Sequence, residues 1–222
     1  MTGAAAFLVH PLLEARGAAH GFGVRGALPP ADLARPVQVH GTRVVRARAG
    51  GAELGEGDAA WSDAPGVAVG VVTADCVPVL LATPDARVVA AVHAGWRGLA
   101  DGVVGAALAA LRAAGAPPDS LAAAIGPCIG ACCYEVDEPV LARLRARFGV
   151  ALDAHARATR PGHARVDLAE LARAELEASL PRGAVGALGA CTRCDAARFE
   201  SHRRDGARAG RLVHWIRVRA RG

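Results

Sequence analysis

Three short segments place reactive side chains where apolar runs end: Gln38-Val39-His40-Gly41, Thr73-Ala74-Asp75-Cys76-Val77-Pro78 and His93-Ala94-Gly95-Trp96-Arg97-Gly98. Residues at strand ends sit on a rigid scaffold yet reach solvent, so a site can be assembled there from distant parts of a chain. His and Cys are borderline-soft donors suited to zinc or copper. Three such donors leave a fourth position for water, which a bound metal turns into a nucleophile. His40, Cys76 and His93 lie far apart in sequence, without zinc-finger spacing, so spacing alone does not join them. Taken singly, a His after a strand also reads as a hydrogen-bonded structural residue, and a Cys in an apolar run as a small hydrophobe. Asp75, next to Cys76, has the chemistry of a general base or of a group that orients a ligand. A metal-free alternative uses Cys76 as nucleophile and His93 as base.

The other cysteines are Cys128, Cys132, Cys133, Cys191 and Cys194. Cys128 to Cys133 follow a Gly-Pro turn signal and read as structure or pocket lining. Cys191 and Cys194 form a lone CxxC without a second such pair, which argues against a zinc knuckle and leaves a redox role weakly supported. Arginine supplies the candidate anion clamps, because its planar fork binds phosphate bidentately. The candidates are Arg25, Arg97 and the pair Arg203-Arg204. Arg97 precedes an expected helix, whose N-terminus would add free N–H groups and a favourable dipole.

These residues need a scaffold. Apolar, β-branched runs predict strands at Val67–Thr73, Val77–Leu81, Val88–His93 and Leu212–Val218, with weaker, Ala-rich candidates at Leu121–Ile125 and Ala184–Leu188. Helical spacing predicts Leu99–Ala114, closed by Gly115; Pro139–Phe148, with Pro at an early position; and Leu168–Leu180, opened by Asp167 with Glu170 three residues on. The segment 47–58 is Gly-rich and polar and reads as a loop. Strand pairs too close for strict βαβ alternation predict an α/β (α+β) fold, a mixed sheet with outer helices.

Composition narrows the class. The chain has 222 residues, 52% apolar and 21% charged, as expected for one globular domain spanning 1–222. No apolar run reaches the ~18 residues of a membrane span. No basic leader or apolar signal core is visible at the start, so the expectation is a cytoplasmic protein with reduced thiols. The formal charge of +5 comes from widely spread Arg, densest at Arg203-Arg204 and in the tail Arg217, Arg219, Arg221. Aromatics are only 4%, too few for nucleic-acid stacking platforms, so neither nucleic acid nor a membrane is expected as a partner. The sequence sets no oligomeric state.

Together the segments QVHG, TADCVPVLL, AAVHAGWRG, IGPCIG-xxx-YEV, CT and S-x-RR-D-G…GR resemble the laccase-domain or YfiH-like family, also called multicopper polyphenol oxidoreductase, purine nucleoside phosphorylase or peptidoglycan editing factor. The resemblance runs from about His20 to Trp215. It implies a metal site of His40, Cys76 and His93, with zinc the expected metal and copper the other choice. It implies sheets flanked by helices, similar to the catalytic domain of cytotoxic necrotizing factor. It also implies small-molecule substrates: phosphorolysis of adenosine, inosine and methylthioadenosine with phosphate as co-substrate, plus adenosine deamination. Removal of L-serine from a peptidoglycan precursor and copper-dependent polyphenol oxidation are the family's other attributed activities. A metal-storage or ligand-binding module is the non-enzymatic alternative. One departure is the early HGF-x-TR-x-GG pattern, here His20-Gly21-Phe22-Gly23-Val24-Arg25-Gly26, which keeps the Arg but lacks the Thr and one Gly. With one Met and eight His in the chain, a multicopper oxidase is hard to furnish with ligands.

Overall fold

The computed structural model describes residues 6–220. Residues 1–5, where the segment read for a leader begins, and Arg221 of the basic tail lie outside them. In chain order the elements are α1 (Pro11–Glu14), β1 (Ala19–Gly21), β2 (Arg35–Val37), β3 (Val44–Arg46), β4 (Glu53–Glu56), β5 (Ala59–Ser62), β6 (Ala68–Thr73), β7 (Val77–Ala82) and β8 (Val89–Ala94). They continue with α2 (Trp96–Asp101), α3 (Val103–Ala113), β9 (Ala122–Ile125), β10 (Glu135–Asp137), α4 (Glu138–Phe148), α5 (Val150–His155), β11 (Ala156–Arg160), β12 (His163–Val166), α6 (Leu168–Glu177), β13 (Val185–Ala187), α7 (His202–Asp205) and β14 (Leu212–Arg217).

The central sheet has six strands in the order β13-β9-β7-β8-β5-β3. Its middle strands β7 and β8 are buried along their whole length, which explains why VPVLLA and VAAVHA are continuous apolar runs rather than alternating ones. Alternation sorts their side chains between two cores. Val77, Val79, Leu81, Ala90, Val92 and Ala94 join a core with residues of α3, α4 and α6. Leu80, Ala82, Val89 and Ala91 face the opposite way, into a core shared with β6 and β14. Those two strands belong to a second sheet, β1-β14-β6. Helices therefore cover one face of the central sheet and a second sheet covers the other, so the mixed α/β architecture expected from sequence is the one observed. A β10-β12-β11 sheet and a β2-β4 pair complete it.

Three local expectations change. The predicted Leu99–Ala114 helix begins earlier, at Trp96, and is broken at Gly102, which adopts φ 90°, ψ 37°; only glycine takes this left-handed corner without steric cost. The 47–58 segment contains the short strand β4. Asp167 caps α6 as expected, its side chain accepting the Glu170 N–H at 3.1 Å, but α6 ends at Glu177.

Candidate metal centre

Each of the three donors sits where a strand or turn ends. Cys76 closes the turn from β6 to β7. Asp75 before it takes φ 94°, a left-handed conformation that Asp tolerates better than most residues. The turn is held on three sides: Asp75 Oδ1 accepts from Thr192 Oγ1 at 2.6 Å, Oδ2 accepts from the Arg203 N–H at 2.6 Å, and the Asp75 carbonyl accepts from the Ile129 N–H at 2.9 Å. His93 lies near the end of β8, paired across the ladder with Pro78 of β7. His40 follows β2 with φ 61°.

The residue that organises the histidines is Asp58, fully buried just before β5. Its carboxylate accepts the backbone N–H groups of His40 at 2.9 Å, Gly41 at 2.6 Å and Val39 at 3.3 Å. It also accepts from His93 Nδ1 at 2.8 Å. One carboxylate thus shapes the His40 turn and fixes the His93 ring, leaving His93 Nε2 as the nitrogen available to a metal. Sequence reading missed Asp58 because it closes a segment that looks like a plain polar loop. No local signal tells a turn-capping Asp from one that also orients a ligand.

The donor atoms of His40, Cys76 and His93 all lie within 4.8 Å of one another, and the two imidazoles meet edge to face at 4.8 Å between centroids. A Cβ at Gly95 would stand 3.0 Å from Cys76 Sγ, 3.2 Å from His40 Cδ2 and 3.7 Å from His93 Cε1. Glycine there leaves room beside the three donors. Burial pushes the Cys76 thiol up, but hydrogen bonds from His40 and His93 and their charge outweigh it, bringing it down to about 7. Burial lowers His93, while the Asp58 hydrogen bond and the Cys76 thiolate raise it further, to about 9. Between about pH 7 and pH 9 the metal-free pair therefore favours thiolate and imidazolium, and an arriving metal ion must displace the His93 proton. The donor set, spacing and anchored His93 fit a zinc or copper ion with an open coordination position.

The donors open into a cleft of about 850 Å³ that Trp96, Tyr134, Arg35, Arg203 and Arg211 help to line. Asp75 also lines it, but both its carboxylate oxygens are taken by the turn contacts, so its geometry is that of a strut. Of the candidate arginines, Arg203 borders the cleft, its guanidinium 4.9 Å from the Tyr134 ring centroid and donating to the Glu135 carbonyl at 2.8 Å. Arg204 is committed elsewhere, to Asp205 and to the carbonyls of Thr192, Arg193 and Phe199. Arg25 pairs with Glu200 at 3.0 Å and Asp205 at 3.6 Å. Arg97 is exposed and stacks 4.5 Å over Trp96. The helix it opens has only six residues, a weaker dipole than the long helix expected, and Asp101 pairs with Arg143 rather than with Arg97. Arg35, which the sequence did not single out, and Arg211, which closes the Arg-rich GR motif, line the cleft instead.

The remaining cysteines depart from expectation most. Cys128 is buried, as structure. Cys132 and Cys133 meet the Cys191–Cys194 pair, all four donor atoms lying within 4.8 Å of one another. The CxxC does have a partner pair, adjacent in sequence rather than spaced.

This arrangement defines an α/β protein with a His₂Cys centre at the open end of its middle strands. The chain belongs to the multi-copper polyphenol oxidoreductase laccase family, whose model matches residues 22–219. It is 43% identical over 187 residues to a purine nucleoside phosphorylase of Xylella fastidiosa strain 9a5c, covering 81% of this chain and 70% of that protein. It is 36% identical over 196 residues to adenosine deaminase RL5 of an unknown prokaryotic organism, covering 83% and 74%. Among solved structures it resembles YlmD from Geobacillus stearothermophilus, with TM-score 0.87, 28% identity and coverage of 99% of this chain and 98% of that one.

Proposed function

We propose that this chain is a metal-dependent purine nucleoside enzyme, acting as one domain, that phosphorolyses adenosine, inosine and methylthioadenosine and also deaminates adenosine. The observation that carries this reading is the convergence of His40, Cys76 and His93 on one point of a cleft large enough for a nucleoside. The names of the relatives point the same way. Zinc is the metal assigned to the site. When bound, it supplies a Lewis acid and an activated water.

The chain's own groups do the rest. Asp58 holds His93 in the tautomer that presents Nε2. Asp75 keeps the Cys76 turn in place through Thr192 and Arg203. Trp96 and Tyr134 offer aromatic surface to a purine. Burial pushes the Tyr134 hydroxyl well above its usual range, so it stays protonated and able to donate. Arg203, with Arg35 and Arg211 of the same cleft lining, takes the phosphate; Arg25, Arg97 and Arg204 are not part of that lining. Copper oxidase chemistry has little to build on. Among the described residues, only His40/Cys76/His93 and the four-cysteine group gather three or more candidate ligands, and neither provides a trinuclear copper set.

A second reading rests on the Cys76–His93 pair. A thiol brought to about 7 beside an imidazole raised to about 9 is an activated nucleophile for hydrolysis without metal, with L-serine on a peptidoglycan precursor as substrate. One experiment separates the readings. Zinc-loaded and chelator-treated protein are incubated with adenosine, inosine and methylthioadenosine, with and without phosphate, and with serine-bearing muropeptide precursors; products are identified by mass spectrometry. The expected result is free base plus ribose 1-phosphate (or its methylthio analogue) from the zinc-loaded protein only, lost in Cys76→Ala along with metal binding at the His40/Cys76/His93 centre. Equal nucleoside cleavage with and without phosphate would overturn phosphorolysis. Serine release surviving chelation would establish the second reading.

A further inference from the structure

We propose that Cys132, Cys133, Cys191 and Cys194 form a second metal site, a zinc tetrathiolate that clamps together two loops bordering the cleft. This does not depend on the reading of the His40/Cys76/His93 centre.

The sulfur geometry is the first support. All four Sγ atoms lie within 4.8 Å of one another, with Cys132–Cys194 at 3.6 Å and Cys133–Cys194 at 3.4 Å. Four thiolates around zinc at ~2.3 Å stand at the corners of a tetrahedron with edges of about 3.8 Å. Both of these sulfur pairs stand near that spacing, and the remaining pairs lie within 4.8 Å. A covalent cross-link would require sulfurs to approach to about 2 Å.

The backbone is the second. Cys132 and Cys133 lie in a tight turn, where the Cys133 and Tyr134 N–H groups both donate to the Gly130 carbonyl, at 2.9 and 3.1 Å. Cys191 and Cys194 lie in another, where the Asp195 N–H donates to the Cys191 carbonyl at 3.2 Å. The two turns are joined by bonds from the Cys128 N–H to the Ala190 carbonyl at 3.3 Å and from the Thr192 N–H to the Cys128 carbonyl at 2.9 Å. The four thiols are thus gathered by paired backbone rather than by loose surface loops, which lowers the entropy lost on metal capture.

Donors to sulfur are the third. The Gly130 N–H points at Cys191 Sγ at 3.3 Å, and Arg193 reaches Cys133 Sγ at 3.5 Å. N–H···S contacts and a nearby cation spread and offset the negative charge of a metal-bound tetrathiolate. With four protein ligands no coordination position stays open, so the metal here is structural. The clamped loops carry Tyr134, which lines the cleft, and Thr192, which holds Asp75. The clamp thus stiffens the support of the Cys76 turn without touching substrate.

The test uses the Cys76→Ala protein, which removes the thiolate of the first centre and keeps all four clamp cysteines. Purified under reducing conditions, it should retain about one zinc per chain by elemental analysis, with a sulfur-only first shell near 2.3 Å by X-ray absorption. Replacing zinc with Co(II) should give the charge-transfer and d–d bands of a four-thiolate ion. Adding Cys191→Ser and Cys194→Ser should remove that metal and those bands. Chelation of the Cys76→Ala protein should lower its melting temperature, a readout that does not need the triple variant to fold. Three outcomes would overturn the proposal: no metal in reduced Cys76→Ala protein after zinc is supplied, a nitrogen- or oxygen-containing shell, or an intact mass short by two hydrogens per cross-link with the four thiols closed to alkylation, which would make this a disulfide cluster.

Discussion

Asp58 contacts both histidine segments of the centre. Its two oxygens accept from His93 Nδ1 and from three consecutive backbone N–H groups around His40, which keeps its own carboxyl low despite burial. Asp58→Asn removes the charge and turns one oxygen into an NH₂ facing N–H donors. The expected result is metal affinity weaker by about 10- to 100-fold, measured by competition with a chromophoric chelator. The melting temperature of the chelated protein serves as the control for a purely structural loss. Unchanged affinity would show that the His93 ring is held by packing alone. His40, Cys76 and His93 were visible in the sequence as candidates because each interrupts or ends a strand-like run with a reactive side chain, and only the family resemblance joined them into one ligand set. Asp58 was not, because its partners come from residues 18 and 35 positions away and nothing in a Gly-rich polar segment encodes that convergence. The same reason hid the four-cysteine group: CxxC spacing is local, but the closeness of Cys132 and Cys133 to it depends on the bridge between Cys128 and Cys191.

The strands and helices show where periodicity informs and where it is silent. β6, β7, β8 and β14 were legible as apolar runs carrying β-branched residues. The hairpin of β11 and β12 turns at Pro161-Gly162 and carries exposed Arg and Thr on β11, so its alternation was there but lacked an apolar face to announce it. β9, Ala-Ala-Ala-Ile, is fully buried yet has low strand propensity; its small side chains suit a strand packed on both faces. The α2–α3 corner was read through as one helix because neither flank offers a stop. Gly102 alone makes that stop, in a left-handed conformation with the Arg147 guanidinium 3.2 Å from where a Cβ would stand. Gly102→Ala should therefore cost about 1 kcal/mol, since the flexible Arg147 can yield but the backbone strain remains. At this chain length that lowers the melting temperature by about 2–4 °C, measured by calorimetry or circular dichroism. A higher melting temperature would mean that the corner can straighten into the continuous helix the sequence pattern suggests.

His214, inside the β1-β14-β6 sheet, gives the molecule a pH dependence of defined sign. His214 is completely buried on β14. Its Nδ1 accepts from the Gly23 N–H at 3.2 Å, which places the ring proton on Nε2, 2.8 Å from Thr73 Oγ1 on β6. Burial pushes the ring down to about 3, helped by the charge on His93. A His in the unfolded chain titrates near 6.5, so between about pH 6.5 and pH 3 the unfolded state holds a proton that the folded state refuses. Stability must therefore fall as the pH drops through that window, by about 1 kcal/mol per pH unit for this one group. His20, also lowered by burial, acts in the same direction. In the metal-free protein His93 acts oppositely: its raised value stabilises the fold below about 6.5, and that contribution is lost as the pH rises towards 9. Isolating His214 requires a difference. His214→Gln keeps a donor and an acceptor but does not titrate, so it should be less stable than the parent at pH 7 from imperfect packing. Denaturant unfolding of both proteins in chelator at several pH values should show that gap narrowing steadily below pH 6.5, as the parent loses the His214 contribution on top of the losses both proteins share. A gap that stays constant down to pH 4 would mean that the buried ring takes up a proton in the folded state, and that its surroundings tolerate charge.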